Sequence, residues 1–131
     1  MKKTPLLNAA LSQLVASLGH KDMLVIGDAG LPVPPQIRCI DLALTRGIPG
    51  FVDTLRVVME EMQVESAFVA AETAHRSPHI LAQINELLPV TAVQTISHEE
   101  LKEKTRQARA VIRTGEFTPY ANIILVAGVV F

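Results

Sequence analysis

Apolar residues along the chain alternate between helical spacing and short continuous runs. Near the N-terminus one helical face is apolar, with Asn8 placed to cap the helix and Gly19 placed to end it. The same spacing predicts helices over about 51–63, from Ser77-Pro78 up to Pro89, and from a capping box at Ser97 to about residue 107. The continuous apolar runs predict six strands, over residues 23–27, 37–44, 66–71, 90–96, 110–114 and 123–130.

This alternation predicts an α/β fold. We expect one domain over residues 1–131, built as a layered sheet of about six mostly parallel strands with helices on both faces. Hydrophobic residues make up 49% of the chain, which is enough for a core, whereas charged residues make up only 19%. Some apolar surface is therefore expected to be covered by other subunits. The apolar ending, Val-Ala-Gly-Val-Val-Phe131, predicts a last strand that is tied down or buried.

Composition and charge argue against several classes of function. The net charge is −1, tryptophan is absent and only one tyrosine is present, so a basic, aromatic nucleic-acid surface is not expected. No stretch approaches a membrane span, and the weak likeness of Lys2-Lys3 and the residues after it to a signal peptide is interrupted by polar residues. A cytoplasmic protein is expected. Cys39, the single cysteine, is predicted to be a buried structural thiol and not a nucleophile.

Five polar residues stand next to predicted strands. Asp28, Glu72 and His98 follow strands directly, and Tyr120 and Asn122 lie in the loop before the last strand. Ligands of open α/β sheets bind at the carboxyl ends of strands, so these residues are candidates for one site. The alternative is that they are ordinary polar loop residues. Asp28 is in addition well suited to form a turn with Ala29 and Gly30, which is compatible with anchoring a ligand.

His20 and His98 are predicted to have opposite electrostatic surroundings. His20 follows a helix end, which favours the protonated ring, and His98 begins a helix, which favours the neutral ring. Such a pair can divide acid and base roles, although either ring is also explained as a partly exposed histidine without a function. His75 and His79 have a spacing that suggests zinc, but Pro78 begins a helix between them and a third ligand is missing. We predict no metal site.

Two motifs resemble the D-ribose pyranase (ribose mutarotase) family. The first is Gly19-His20, then Asp22, then Asp28-Ala29-Gly30-Leu31-Pro32, and the second is the run VIRTGEFTPYAN over residues 111–122. The resemblance extends over essentially the whole chain. L-fucose mutarotases share the Gly-His and Asp-Ala elements, and the Gly30-Leu31-Pro32 continuation favours the ribose branch. Within the second motif, Arg113 and Glu116 are placed to form either a salt bridge that shapes the Tyr120 loop or an exposed pair of little consequence.

The resemblance implies a function and a set of site residues. It implies interconversion of the pyranose and furanose forms of β-D-ribose, with His20 as the general acid and no metal or organic cofactor. It assigns sugar binding to Asp28, His98, Tyr120, Ala121 and Asn122. It also implies a homodecamer, in which Tyr120 and Asn122 could serve the His20 of a neighbouring subunit. The alternatives are an L-fucose-type mutarotase and a non-enzymatic sugar-binding subunit.

Overall fold

The computed structural model describes all residues from 1 to 131, which form a single sheet with helices packed on it. The helices are α1 (Ala9–Ser17), α2 (Phe51–Glu61), α3 (Ala71–Arg76), α4 (Pro78–Leu87) and α5 (His98–Thr105). The strands are β1 (Met23–Gly27), β2 (Arg38–Asp41), β3 (Val64–Ala70), β4 (Ala92–Ile96), β5 (Ala110–Arg113) and β6 (Ile123–Ala127). No helix is long and apolar enough to cross a membrane.

The six strands lie in the order β2-β5-β1-β6-β3-β4. All neighbouring pairs are parallel except the two that involve β6, which runs antiparallel to β1 and to β3. The prediction of about six mostly parallel strands is confirmed. Because β6 is reversed, its first residue lies at the same edge of the sheet as the carboxyl ends of the other strands.

The helices cover both faces of the sheet unequally. Alternate residues of β1 face opposite sides, as the pleat requires: Leu24 and Ile26 join the larger core under α1, α2 and α4, and Val25 joins the smaller core under α5. The strand β6, in the middle of the sheet, is buried along its whole length. The predicted helices on both faces are therefore confirmed, with a single helix on one of them.

Local sequence signals placed several helix starts correctly. The Asn8 side chain accepts a hydrogen bond from the Leu11 N–H at 3.0 Å, and Ser97 forms a complete capping box with Glu100. Ser77 is the N-cap of α4 and Pro78 its first residue, but the Ser77 side chain makes no capping bond. The short helix α3 was not predicted, because its six residues lack an apolar periodicity.

Three expectations about strand ends and exposure were wrong. The strand β2 ends at Asp41 and not at residue 44, because its neighbour β5 has only four residues to pair with. Cys39 is exposed because it lies on the edge strand β2, on the same face of the sheet as its neighbour Val111. The one helix on that face, α5, packs over β3 and does not cover β2. The chain beyond Ala127 leaves the sheet where both neighbouring strands begin, and Phe131 is fully exposed.

Candidate functional site

Asp28 and Asn122 form the centre of a polar cluster at the carboxyl edge of the parallel strands. Asp28 follows β1 and Asn122 precedes the antiparallel β6, so the fold brings together two residues that are 94 positions apart. The Asp28 backbone N–H donates to Asn122 Oδ1 at 2.8 Å, and Asn122 Nδ2 donates to Asp28 Oδ2 at 3.0 Å. Asn122 is fully buried, whereas Asp28 is half-buried. The buried amide therefore orients a carboxylate that remains accessible.

The turn predicted at Asp28 is present. Asp28 Oδ1 accepts the Gly30 N–H at 2.9 Å, so each carboxylate oxygen is held by one donor from the protein. A carboxylate oxygen can accept more than one hydrogen bond, which leaves acceptor capacity on both oxygens. The side chain is thus fixed in orientation and still free to accept hydroxyl groups.

His98 lies next to Tyr120 in the same region. The two rings meet edge to face, with centroids 5.0 Å apart and an interplanar angle of 84°. His98 is the first residue of α5, and its backbone N–H donates to Glu72 Oε2 at 2.9 Å. Its Nδ1 is buried and has no hydrogen-bond partner in the structure. Glu72 therefore positions His98 through the backbone.

The loop that carries Tyr120 is held by two hydroxyl groups that the sequence did not indicate. The Thr73 hydroxyl donates to the Tyr120 carbonyl at 2.8 Å, and the Ser77 hydroxyl donates to the Pro119 carbonyl at 2.6 Å. Both side chains are fully buried, and Tyr120 has a positive φ of 60°. A non-glycine residue in this region is held by its surroundings, and such positions are frequent at binding sites. The sequence predicted Ser77 only as a helix start, and neither residue carried a local signal for holding this loop.

Arg113 and Glu116 do not pair with each other, so both predicted alternatives, a salt bridge that shapes the loop and an exposed pair of little consequence, are wrong. Arg113 contacts the Asp41 carboxylate at 2.9 Å and donates from Nε to the Ala29 carbonyl at 3.0 Å. Glu116 accepts the Phe51 N–H at the start of α2 at 3.1 Å. Partial burial works to raise the pKa of Glu116, but the hydrogen bonds from Phe51 and Thr118 outweigh it and lower the pKa. Arg113 therefore links the Asp28 turn to the end of β2, and Glu116 links the Tyr120 loop to the start of α2.

A cleft of about 380 Å³ opens between the Asp28 turn and this loop. Its volume is within the range of small-molecule sites. It is lined by Asp28, Ala29, Gly30, Arg113, Glu116, Phe117, Thr118 and Pro119.

His20 lies at the opposite edge of the sheet from this cluster. It precedes the five-residue strand β1, whereas Asp28 follows it, and strand residues rise by about 3.3 Å each, so the edges are roughly 16 Å apart. Its Nε2 is 2.8 Å from Glu65 Oε2, and Lys21 contacts the other oxygen of the same carboxylate. Within one chain the structure brings Asp28, His98, Tyr120 and Asn122 together and leaves His20 apart.

The other two histidines do not take part in this cluster. His75 is the penultimate residue of α3 and His79 the second residue of α4, and both are exposed. No group of three or more potential metal-ligating side chains is present.

The fold and the cluster define a class of protein. It is an α/β protein whose strand ends carry an oriented carboxylate beside a small cleft, with a phenol and an imidazole in contact with each other nearby, an array suited to a small polyhydroxylated ligand. The chain belongs to the RbsD / FucU transport protein family, whose profile matches residues 1–130.

Several relatives match the chain over its whole length. A D-ribose pyranase of Chloroflexus aggregans is 66% identical over 131 residues and one of Pseudomonas fluorescens is 58% identical over 134, each match covering 100% of both chains. The structure of Bacillus subtilis RbsD complexed with D-ribose has a TM-score of 0.97 and 50% identity, with 100% of both chains covered. A fucose mutarotase of Streptococcus pneumoniae in complex with L-fucose shares the fold, with a TM-score of 0.85 and 22% identity over 100% of both chains.

Proposed function

We propose that this chain is a D-ribose pyranase, an isomerase that interconverts the β-pyranose and β-furanose forms of D-ribose through ring opening. The observation that carries the proposal is the 66% identity with a D-ribose pyranase over the full length of both chains. The 50% identity with Bacillus subtilis RbsD, whose structure is complexed with D-ribose, supports the same sugar. We treat residues 1–131 as one domain that carries this activity.

The polar cluster at the carboxyl edge is the proposed sugar-binding site. Asp28 accepts hydrogen bonds from sugar hydroxyls, because both of its oxygens are oriented and retain acceptor capacity. His98 and Tyr120 supply groups that can donate or accept, and Ala121 and Asn122 contribute through the backbone and the buried amide. These groups bind the sugar through its hydroxyl groups, so the ligand needs no charge.

His20 is the proposed general acid. Its proton passes to the ring oxygen while the bond from that oxygen to the anomeric carbon breaks. The anomeric hydroxyl loses its proton to water, and its electron pair completes the aldehyde carbonyl. Closure through the other hydroxyl runs these transfers in reverse and gives the furanose. Mutarotation already proceeds in water, so orientation of the sugar plus one acid is sufficient catalysis.

The separation of His20 from the other site residues supports a site shared between subunits. An imidazole at one edge of the sheet cannot reach a sugar at the other edge, but the His20 of a second copy can. The exposed apolar residues Val129, Val130 and Phe131 line a groove with His20 and provide surface for such a contact. The decamer implied by the family and the cytoplasmic location stay predictions.

Saturation-transfer NMR on equilibrated D-ribose tests the activity. The protein should accelerate exchange between pyranose and furanose signals, and His20→Ala should slow it by at least roughly a hundredfold while sugar still binds. Exchange at the uncatalysed rate with the wild-type protein would refute the proposal. A faster exchange of L-fucose than of D-ribose would favour the fucose alternative, and binding without exchange would indicate a sugar-binding subunit.

Mixed oligomers test whether the site is shared. His20→Ala and Asp28→Ala chains, each inactive alone, are unfolded together and refolded as a mixture. If each site takes His20 from one chain and Asp28 from another, random assembly restores about a quarter of the sites. Co-refolding of His20→Ala with wild-type chains is the matched control. No recovery in mixtures that have demonstrably exchanged subunits would place both residues of a site in the same chain.

A further inference from the structure

We infer that Glu65 is a positioning residue for the reaction: its carboxylate keeps a hydrogen on Nε2 of His20 and leaves Nδ1 to exchange the proton with the sugar. This inference rests on the proposed function of His20. It concerns which of the two ring nitrogens works, and which side chain decides it.

The contact itself assigns the two ring nitrogens. His20 Nε2 is 2.8 Å from Glu65 Oε2, and an ionised carboxylate can only accept, so Nε2 is the donor. The ring makes its hydrogen bond through Nε2 alone, and its side chain is 49% exposed. Nδ1 is therefore the nitrogen left available to a ligand.

The carboxylate that makes this contact is itself held. Lys21 contacts the second oxygen of Glu65, so the two oxygens serve different partners. Hydrogen bonds from Lys21 and then from His20 lower the pKa of Glu65, which keeps the carboxylate ionised near neutral pH. An ionised acceptor is what holding a hydrogen on Nε2 requires.

Three backbone features bring Glu65 and its partners together. The pairing of β3 with β6 shifts register between Val64 and Ser66, so Glu65 is the extra residue of a bulge, a feature that redirects side chains and is frequent beside active sites. Gly128 passes so close that a Cβ there would lie 3.1 Å from the Glu65 Cβ. Lys21 has a positive φ of 73° and donates its backbone N–H to the Ala127 carbonyl at 2.9 Å.

Such an arrangement exceeds what an incidental surface ion pair needs. Exposed pairs contribute little to stability, whereas a residue held at positive φ, such as Lys21, is typical of functional sites. The sequence separation between His20 and Glu65 is 45 residues, so the pair depends on the tertiary fold.

The reaction gives the contact its chemical purpose. When Nδ1 has released its proton to the ring oxygen, the electron pair of that N–H bond stays on Nδ1 and the remaining hydrogen is on Nε2, pointing at Glu65. In the closing step Nδ1 takes the proton of the attacking hydroxyl, and the same orientation is restored. Without Glu65 the neutral ring can hold its hydrogen on either nitrogen, and the form with hydrogen on Nδ1 cannot accept that proton.

Nitrogen NMR of the His20 ring in the full-length protein tests the assignment without any activity measurement. At a pH where the ring is neutral, the wild-type spectrum should show the hydrogen on Nε2, and Glu65→Ala should give a mixture of both forms. A wild-type ring with its hydrogen on Nδ1 would overturn the inference, even if no variant folds.

Kinetics of variants provide the second measurement. Glu65→Ala should lower kcat by about tenfold or more with little change in KM, part of the ~10²–10⁴-fold that a general acid contributes. The kcat of Glu65→Gln should lie between those of Glu65→Ala and the wild type. Its amide oxygen can accept from Nε2, but its NH₂ group can also turn toward the ring. Glu103→Ala, which removes an exposed pair with Arg106, is the matched control and should match the wild type.

The outcomes separate the two proposals. If Glu65→Ala keeps the wild-type kcat while His20→Ala is slow, the inference about Glu65 fails and the function stands. If His20→Ala is itself fully active, the proposed general acid is wrong. An equal fall of kcat in Glu65→Ala and Glu65→Gln with an unchanged ring tautomer would indicate a purely structural contact.

Discussion

The pair formed by Asn122 and Asp28 allows a quantitative prediction. Asn122→Ala removes two hydrogen bonds, one from the Asp28 N–H at 2.8 Å and one to the Asp28 carboxylate at 3.0 Å. The first is worth about 0.5–1.5 kcal/mol and the second, which involves a charge, about 1.5–3 kcal/mol. Because Asp28 is only half-buried, hydrogen bonds from water to its carboxylate replace part of the lost stabilisation. We expect a loss of about 2–3 kcal/mol in the free energy of unfolding.

The substitution Asn122→Asp tests the hydrogen bond to Asp28 without changing the size of the side chain. The new side chain has the same size, but it replaces the Nδ2 donor with an oxygen 3.0 Å from an Asp28 oxygen. Two ionised carboxylates at this distance repel, unless one takes up a proton and donates it to the other. The folded variant therefore binds more protons than its unfolded chain, and its deficit relative to wild type should shrink as pH falls from 8 to 5.

Urea unfolding at fixed protein concentration measures these changes, together with ribose affinity in the variants that remain folded. Asn85→Ala is the matched control, since Asn85 is exposed on α4. It should change stability by less than about 0.5 kcal/mol and leave ribose binding intact. The reasoning would be refuted if Asn122→Ala were as stable as Asn85→Ala, or if the deficit of Asn122→Asp grew in acid.

Three further predictions concern the loop and the sheet edge. Gly115→Ala would put a Cβ 2.6 Å from the Ile48 carbonyl oxygen and still closer to that of Thr45, so thermal unfolding should show a loss of about 1–3 kcal/mol; an unchanged midpoint would contradict it. The pKa of Glu116 is lowered from 4.5 in the folded protein, so on acidification the carboxylate is protonated in the unfolded chain before it is protonated in the folded one. The free energy of unfolding should therefore drop as pH falls below about 4.5. Glu116→Gln should flatten that drop, and an identical acid slope in both proteins would refute the argument. Partial desolvation at the sheet, and then the nearby Asp41 carboxylate, raise the pKa of the Cys39 thiol, although the residue is exposed. Alkylation at pH 7 should therefore be slower than for a free cysteine peptide and should speed up with rising pH.

Much of the fold could be predicted from neighbours in the sequence. Caps such as Asn8 and Ser97 act over three residues, and an apolar run such as β1 signals burial directly, so both are visible in the chain itself. Element ends were less predictable where a partner strand decided them. The strand β2 stops because β5 is short, and β6 stops because β1 and β3 begin there.

The candidate site was predicted in its members and not in its arrangement. Asp28, His98, Tyr120 and Asn122 were singled out by their positions beside strands and by the family motifs, and the structure gathers them. Thr73 and Ser77, which hold the Tyr120 loop, carried no local signal, because a hydroxyl in a helix start is ordinarily a cap.

The amino-acid sequence by itself determined the α/β class and the positions of the caps and most strands, and it singled out the polar residues that we propose bind the sugar. The tertiary structure alone decided that β6 is reversed, which puts Asn122 beside Asp28, and that His20 faces Glu65 at the far edge of the sheet. Helix and cap signals depend on contacts a few residues apart. Strand order and register depend on how apolar faces from the whole chain pack together, and no local pattern encodes that choice.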